Sequence, residues 1–244
     1  MLIRYIVSTM PSKFVLKEYK TGSHYHIFNR GVNEMRIFSS EDDYVEFLGY
    51  LEQYLSLPPD PENLRREVSF KGVSFKGIPR QPKNFATSID LEAFVLMPNH
   101  FHLLIKQNEE KAMETFMRAL ATRYATYFNK THGRRGYFFE GPYKAVEIAG
   151  PDRLLHMTRF IHRKPAKYLD DLTKAYSSYG DYVDLTNKRT WLKNSEILSI
   201  LKENPFPDQE FSTYEQFVRE YRGDAKAILS DIVIDEENEG YYES

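Results

Sequence analysis

The chain contains no cysteine, a single tryptophan and no long apolar run. Without cysteine there are no disulfides and no thiolate metal sites, so any metal ion must be held by histidine, carboxylate or amide groups. No segment approaches the roughly 18 apolar residues that a membrane span needs, and no signal-peptide pattern opens the chain. These absences favour a cytoplasmic protein with no membrane segment.

The chain has 244 residues, of which 41% are apolar and 15% are aromatic, which is enough for one large domain or one domain with an appendage. The net charge is only −2, but the charges are segregated. Between Lys111 and Val146 there are seven Lys or Arg and two Glu, whereas six carboxylates and no base follow from Asp231 to the end. The distribution of charge is therefore more informative than its sum.

The basic stretch is interleaved with aromatic residues, a combination that suits a phosphate backbone together with stacking on unpaired bases. A solvated helix face followed by a core strand explains the same composition, and composition alone leaves both interpretations open. If the stretch binds nucleic acid, the candidate phosphate contacts are Arg118, Arg123, Lys130, Arg134, Arg135 and Lys144.

A His-x-His pair, His100 and His102, follows a Pro-Asn break between two apolar runs. This context predicts two strands joined by a tight connection. Residues i and i+2 of a strand point to the same face, so the two imidazoles are placed to bind one divalent cation. The alternative is a pair with no ligand, since isolated His-x-His pairs are common. A second pair, His24 and His26, lacks the turn context and is predicted to be structural.

Periodicity predicts strand, helix, strand, strand, helix, strand and helix, in that order, and hence an α+β fold with an antiparallel sheet covered by helices. An insertion at about 57–87 carries a tandem Val-Ser-Phe-Lys-Gly repeat that predicts a basic β-hairpin. The pattern favours a solvated hairpin with no ligand, and contact with nucleic acid is the alternative. The core elements are predicted at 25–29, 39–57, 91–97, 100–107, 109–133, 143–148 and 150–165. Residues 183–244 are predicted to form a helical C-terminal extension, with helices at 195–202, 213–221 and 224–229 and an acidic tail.

Four strings, taken in order, resemble one known family. They are Tyr25-His26-Ile27-Phe28-Asn29-Arg30-Gly31, Met97-Pro98-Asn99-His100-Phe101-His102-Leu103-Leu104, Gly136-Tyr137-Phe138-Phe139-Glu140-Gly141-Pro142-Tyr143-Lys144-Ala145 and Tyr176-Ser177-Ser178-Tyr179. Over roughly residues 23–182 the chain resembles the single-tyrosine HUH transposases, specifically the REP-associated tyrosine transposase branch. The predicted domains are accordingly an HUH transposase-like domain over 1–182 and the extension over 183–244.

The resemblance implies a ferredoxin-like fold in which His100 and His102 bind Mg²⁺ or Mn²⁺. In this family the metal polarises a phosphate of single-stranded DNA, and a tyrosine on a later helix attacks it to give a 5′-phosphotyrosyl link and a free 3′-hydroxyl. A phenol is a weak nucleophile near neutral pH, and metal polarisation with in-line positioning offsets that weakness. The implied partner is single-stranded or hairpin DNA, bound by a monomer or a homodimer.

The helix that carries the family's nucleophile departs from the expected pattern. The family string Arg-Tyr-Ile-His-(Leu or Arg)-Asn-Pro corresponds here to Arg159-Phe160-Ile161-His162-Arg163-Lys164-Pro165. Phe160 has no hydroxyl with which to form a phosphotyrosyl bond. Four residues on, Lys164 replaces the amide that completes the metal site, and an ammonium group repels a cation.

Three explanations of these departures remain open: a repurposed DNA-binding protein, a deliberate substitution that traps a complex, or another tyrosine (Tyr143, Tyr124 or Tyr168) as nucleophile. The sequence predicts a transposase-family protein that binds hairpin-bearing single-stranded DNA, with cleavage and rejoining as the ancestral activity. One alternative is an inactive hairpin-binding protein. Another is a metal-dependent phosphodiesterase that uses activated water.

Overall fold

The computed structural model describes residues 19–79, 81–184, 188–203, 209–222 and 228–229. Residues 1–18 and the acidic tail from Asp231 lie outside these ranges, as does most of the helix predicted at 224–229. No helix in the described ranges is long and apolar enough to cross a lipid bilayer.

The chain forms six strands and six α-helices in the described ranges. The strands are β1 (His24–Arg30), β2 (Arg66–Phe70), β3 (Val73–Gly77), β4 (Ile89–Met97), β5 (His100–Gln107) and β6 (Lys144–Ile148). The helices are α1 (Glu41–Leu55), α2 (Ala112–Thr131), α3 (Pro151–Arg163), α4 (Tyr179–Val183), α5 (Ser195–Lys202) and α6 (Tyr214–Glu220).

Four strands form the central sheet in the order β4-β5-β1-β6, and every neighbouring pair is antiparallel. The core elements follow one another along the chain as β1, α1, β4, β5, α2 and β6. This succession, with β1 between β5 and β6, is the split βαβ arrangement of ferredoxin-like domains. The predicted α+β fold is therefore confirmed.

One face of the sheet packs on α1 and α2 through aromatic side chains. Phe47 of α1 contacts both Phe101 of β5 and Tyr124 of α2, with ring centroids 5.6 Å and 4.9 Å apart. Helix α1 begins where the sequence predicts, since Ser40 and Asp43 form a reciprocal capping box that satisfies two backbone donors. Helix α2 begins at Ala112, because Lys111 adopts a left-handed conformation (φ 61°) instead of continuing a helix from Glu109.

The opposite face of the sheet packs on α3, which in turn contacts α5 and α6 of the C-terminal extension. Arg159 of α3 donates to the carbonyl oxygens of Phe217, Val218 and Tyr221 at 3.1–3.3 Å. These carbonyls lie at and after the end of α6, where a helix leaves acceptors unsatisfied. The extension is thus fastened to the sheet through α3, and the predicted boundary near residue 182 stays a prediction.

The outer edge of β4 is covered by chain from the C-terminal part. Leu96 N donates to Tyr176 O at 2.8 Å, and Ser178 N donates to Phe94 O at 3.0 Å. Further along the same strand, Lys193 N donates to Leu91 O at 2.9 Å. Backbone groups that an edge strand would otherwise expose are therefore paired within the molecule.

The insertion between α1 and β4 contains the predicted hairpin, formed by β2 and β3 as a separate two-stranded sheet. Its turn residues, Lys71 and Gly72, both have positive φ angles, of 50° and 80°. This is the backbone of a type I′ turn, which matches the twist of paired strands. The insertion is anchored at its base, because Phe85 is buried and its N–H donates to Tyr54 O at 2.7 Å.

Candidate functional site

The two imidazoles of the His-x-His pair lie on one face of β5, next to the connection to β4. Their ring centroids are 5.1 Å apart, with the planes nearly perpendicular. Asn99 of the connection fixes the first ring, since its Oδ1 lies 2.6 Å from His100 Nδ1. His102 is fully buried, whereas His100 is partly exposed. The strand thus presents one accessible and one buried imidazole on the side covered by α3.

A third imidazole, His26 of β1, joins this pair. His26 Nε2 lies 2.8 Å from His102 Nδ1, so one of these two nitrogens carries the proton that they share. Burial, together with the charge of Lys164, lowers the pKa of His26 to about 3. Burial, followed by the charge of Lys164, also holds the pKa of His102 well below its usual value. Both rings are therefore neutral at physiological pH.

Phe160 of α3 covers the imidazoles on the side of the sheet where α3 packs. Its ring stands edge-on to the imidazoles of His102 and His26, with centroid distances of 5.8 Å and 5.9 Å. The Nζ of Lys164 lies 4.4 Å from the centre of the Phe160 ring, and Lys164 is 9% exposed. The two residues in which the helix departs from the family pattern thus meet at the imidazole cluster, as their i, i+4 spacing predicts.

The donor set does not fit a divalent metal ion well. His102 Nε2 is buried and has no hydrogen-bond partner among the described residues, so it is a suitable ligand atom. However, within the described ranges the one group of three His or acidic side chains close enough to share an ion is His24, Glu92 and Glu196, which excludes His100 and His102. The ammonium of Lys164 adds a positive charge beside the same imidazoles. Mg²⁺ or Mn²⁺ at His100 and His102 therefore stays a prediction from the resemblance.

Two further cations flank the imidazole cluster. Lys144 of β6 is paired in register with Phe28 of β1, and its Nζ lies 5.4 Å from the centre of that ring. The Phe28 ring in turn stacks on His102 at 5.8 Å. Arg30, at the end of β1, is paired with His100, and its charge lowers the pKa of His102. Arg30 also forms ion pairs with Glu34 and Glu140, at 3.7 Å and 3.4 Å. The positive charge beside the imidazoles therefore comes mainly from Lys164 and Lys144, and it favours an anionic ligand.

The other predicted phosphate contacts are not brought to this site. Arg123 of α2 stacks on Tyr50 of α1 at 3.9 Å and donates to Gln53 Oε1, on the opposite side of the sheet. Arg118 and Lys130 are exposed on the same helix. In the loop that follows α2, Arg135 is exposed and Arg134 is partly buried. Of the six basic candidates, Lys144 is the one that lies beside the imidazoles.

The four motif strings converge on this region. Gly31 N donates to Asn99 O at 2.9 Å, and Asn29 Nδ2 donates to Gly141 O at 3.1 Å, which ties the first string to the second and third. A Cβ on Gly31 would collide with the backbone oxygen of Met35, so the close approach of these two backbone segments requires glycine at position 31. Strings that are far apart in sequence are thus neighbours around β1, β4 and β5.

The fourth string reaches α3 through a buried polar network. Ser178 Oγ lies 2.7 Å from His162 Nε2 and accepts from Phe94 N at 2.8 Å. On its other side, His162 Nδ1 lies 2.7 Å from the hydroxyl of Tyr214, which is 2.9 Å from Thr158 Oγ1. Burial lowers the pKa of His162 to about 3. This network, which the sequence did not reveal, fixes the rotation of the helix that carries Phe160 and Lys164.

The second His-x-His pair, predicted to be structural as a whole, is divided between two groups: His26 belongs to the imidazole cluster, and His24 to a separate set of paired side chains. His24 Nδ1 lies 2.8 Å from Glu92 Oε2, and its Nε2 lies 3.5 Å from Glu196 Oε1 of α5. Lys106 Nζ binds the other oxygen of Glu196 at 2.6 Å. Burial raises the pKa of Glu92. The group links β1, β4 and β5 to the extension.

Two of the three alternative tyrosines face away from the imidazoles. Tyr124 is fully buried between the sheet and α1, and its hydroxyl donates to Ile37 O at 2.6 Å. Tyr143 interacts with Tyr19 and lies near Glu114 of α2. Burial raises the pKa of both phenols, which makes them poorer nucleophiles. Tyr168 is 59% exposed, in the turn that follows α3.

Comparisons with known proteins point to the same family as the motifs. Residues 82–164 match the model of a family described as IS200-like transposase. A solved structure of a REP-associated tyrosine transposase bound to a REP hairpin is similar over 82% of this chain and 94% of that chain, with 10% sequence identity and a TM-score of 0.46. Among curated proteins no match was found. The family match covers about a third of the chain, residues 82–164, and this span contains His100, His102, Phe160 and Lys164.

Proposed function

We propose that this protein binds hairpin-bearing single-stranded DNA and holds one of its phosphates at the imidazole cluster without cleaving it. The observation that carries the proposal is that the Phe160 ring contacts His26 and His102, while the charge of Lys164 lies over that ring and lowers the pKa of both imidazoles. At the position where the transposase resemblance expects a nucleophilic phenol there is an aromatic ring without a hydroxyl. Beside it lies a fixed positive charge.

Lys164 supplies in this proposal the charge that a metal ion supplies in an active transposase. An ammonium group stabilises a phosphate as a point charge and does not need coordination by the imidazoles. Lys144 adds to the same field, and the ring of His100 is partly exposed. Because both buried imidazoles stay neutral, they offer hydrogen-bonding capacity without adding charge.

Phosphotyrosyl chemistry has no nucleophile at the position of Phe160, and of the three alternative tyrosines only the exposed Tyr168, in the turn after α3, remains. Phe160 carries no oxygen, and Tyr124 and Tyr143 lie on the other side of the sheet. Hydrolysis by activated water would need a further ligand or base at the imidazoles, and the described residues bring no carboxylate into a shared metal site with His100 and His102. Binding without cleavage is therefore the function that the geometry supports best.

The first test is DNA binding with and without divalent metal. The full chain is titrated into a fluorescent DNA hairpin that carries a single-stranded flank, once in EDTA and once in Mn²⁺. The proposal expects the same affinity in both, because the cation at the site belongs to the protein. Binding that disappears in EDTA would contradict it, and so would no binding under either condition.

The second test removes one charge. Lys164→Gln should weaken binding and lower the slope of log K against log salt by about 1, as expected for one lost phosphate contact. Lys144→Gln, on a different element, gives the same readout if Lys164→Gln does not fold. Lys174→Gln is the matched control, since Lys174 is exposed and pairs loosely with Asp171. An unchanged salt slope in both site variants would argue against this phosphate position.

The third test concerns chemistry. After incubation with Mn²⁺ and hairpin DNA, the wild-type protein should give no covalent protein–DNA adduct on a denaturing gel. The double variant Phe160→Tyr, Lys164→Asn, which restores the family pattern, should give one. An adduct with the wild-type chain would overturn the binding-only function, while repeated cleavage without an adduct would favour the phosphodiesterase.

A further inference from the structure

The β2–β3 hairpin exposes an apolar face that the proposed phosphate site does not use. In its register Phe70 pairs with Val73, and Phe75 lies two residues further along β3, so these three side chains share one face. They are 64%, 65% and 51% exposed. No described residue covers them, although large exposed apolar side chains in a cluster are uncommon unless they serve an interaction.

The tandem repeat explains how this face arises. Each Val-Ser-Phe-Lys-Gly unit alternates apolar and polar residues, and the type I′ turn at Lys71-Gly72 brings the two units together with their apolar residues in line. The opposite face carries Ser69, Ser74 and Lys76, which are also exposed. The ribbon is therefore two-sided and stands away from the core.

Positive charge accompanies the aromatic face. From 65 to 83 the chain has six Lys or Arg and one Glu. Arg66 shares the face of Phe70, because the two lie four residues apart on one strand. At the tip, Lys71 Nζ lies 5.6 Å from the centre of the Phe70 ring. Exposed aromatic rings beside cations are the usual composition of surfaces that bind single-stranded nucleic acid.

We infer that the β2–β3 hairpin is a second DNA contact that binds unpaired nucleotides: Phe70 and Phe75 stack on bases, and Arg66 and Lys71 contact the phosphates. This inference rests on the proposed function for the identity of the ligand, but it concerns a separate surface. A second copy of the chain is the poorer occupant, because two such ribbons would bring like charges together.

The two contacts lie at opposite ends of the sheet. The insertion is anchored at Tyr54 and Phe85, shortly before β4 begins at Ile89, whereas the imidazoles lie where β4 ends and β5 begins. The nine residues of β4 span about 26 Å at a rise of ~3.3 Å per residue. The two contacts are therefore on separate elements, and mutations at the two places should act independently.

The test compares three fluorescent probes: a blunt DNA hairpin, the same hairpin with a single-stranded tail, and an unpaired thymidine oligonucleotide. Wild-type protein should bind the tailed hairpin more tightly than the blunt one. Phe70→Ala, Phe75→Ala should lose about tenfold or more on the tailed hairpin and on the oligonucleotide, and little on the blunt hairpin. Ser69→Ala, Ser74→Ala is the matched control on the opposite face, and an unchanged melting temperature shows that both variants fold.

Charge is tested in the same way. Arg66→Gln, Lys71→Gln should lower the salt slope for the tailed hairpin by about 2, whereas Lys76→Gln, on the opposite face, should leave it unchanged. Equal binding of the tailed hairpin by the wild type and by the phenylalanine variant would overturn the inference. So would a wild-type dimer in the absence of DNA that becomes a monomer in that variant, since the face would then join two copies.

Failure of the proposed function has a different signature. In that case Lys164→Gln and Lys144→Gln would leave binding of every probe unchanged, and the blunt hairpin would not bind. Loss of oligonucleotide binding in the phenylalanine variant alone would still support the hairpin contact.

Discussion

On the side of the sheet covered by α1 and α2, the contacts are between apolar and aromatic rings: Phe47, Phe101 and Tyr124 pack there with almost no exposed surface. On the side covered by α3, the same strands bury His26, His102 and Glu92, and the helix adds His162 and Lys164. Burying ionisable groups costs stability unless they are neutral or paired. Apolar packing on the first side therefore stabilises the domain, whereas the buried polar groups on the second side lower its stability.

The largest expected effect is on the apolar side. Phe101→Ala removes a ring that is 1% exposed and leaves a cavity between β5 and α1, which should lower the free energy of unfolding by about 3–5 kcal/mol. Urea denaturation measures this directly. A loss below about 1 kcal/mol would mean that the two sides do not differ as described.

Acid should act through the polar side. The folded-state pKa of His162 is about 3, whereas its ordinary value is 6.5, so below pH 6.5 the unfolded chain binds a proton that the folded chain does not. The free energy of unfolding should then fall by about 1.4 kcal/mol per pH unit for this ring, or about 2 kcal/mol between pH 6.5 and 5.

Urea denaturation at pH 7 and pH 5 tests the acid effect. His162→Gln should show a shallower pH dependence than the wild type, by about the amount given for one ring. Phe101→Ala is the control, because its loss of stability relative to the wild type should be the same at both pH values. An equal slope in His162→Gln and the wild type would contradict the assignment.

A smaller effect is expected where the extension joins the polar network. Tyr214→Phe removes the hydroxyl that lies 2.7 Å from His162 Nδ1 and leaves a buried ring nitrogen without that partner, at a cost of about 1–2 kcal/mol. Tyr137→Phe is the matched control, since Tyr137 is 87% exposed. Equal melting temperatures of the two variants would show that the network does not stabilise α3.

The smallest effect is expected at the surface of the polar side. Glu196→Gln removes the ion pair between Lys106 of β5 and α5, which has a short distance of 2.6 Å. Because Glu196 is 46% exposed, the change should cost less than about 1 kcal/mol and should shrink further in high salt. A larger loss would mean that α5 depends on this pair for its docking.

Much of the fold was predictable because short-range sequence patterns determine where its strands and helices begin and end. Strand β5 has the predicted bounds, as does α5, and the cap at Ser40 is a short-range signal. The four motif strings also placed His100 and His102 opposite the helix of Phe160 and Lys164.

The contacts that complete the site depend on long-range register, which periodicity does not encode. His26 meets His102 because Phe28 pairs with His102 across β1 and β5, and Glu92 reaches His24 because of the irregularity between Leu91 and Ala93. The basic stretch 111–146 is continuous in sequence, whereas α2 and β6 place Arg123 and Lys144 on different sides of the sheet. Neither arrangement follows from spacing along the chain.

The covered margin of β4 has a consequence for solubility. Residues 176–178 form backbone hydrogen bonds with Phe94 and Leu96, and Lys193 forms one with Leu91. An extended peptide from another molecule therefore cannot pair with these backbone groups of β4. A chain shortened before residue 175 would lose these partners and present a long, mostly apolar strand to its neighbours. We expect such a truncation to aggregate through strand-to-strand pairing even where its remaining core stays folded.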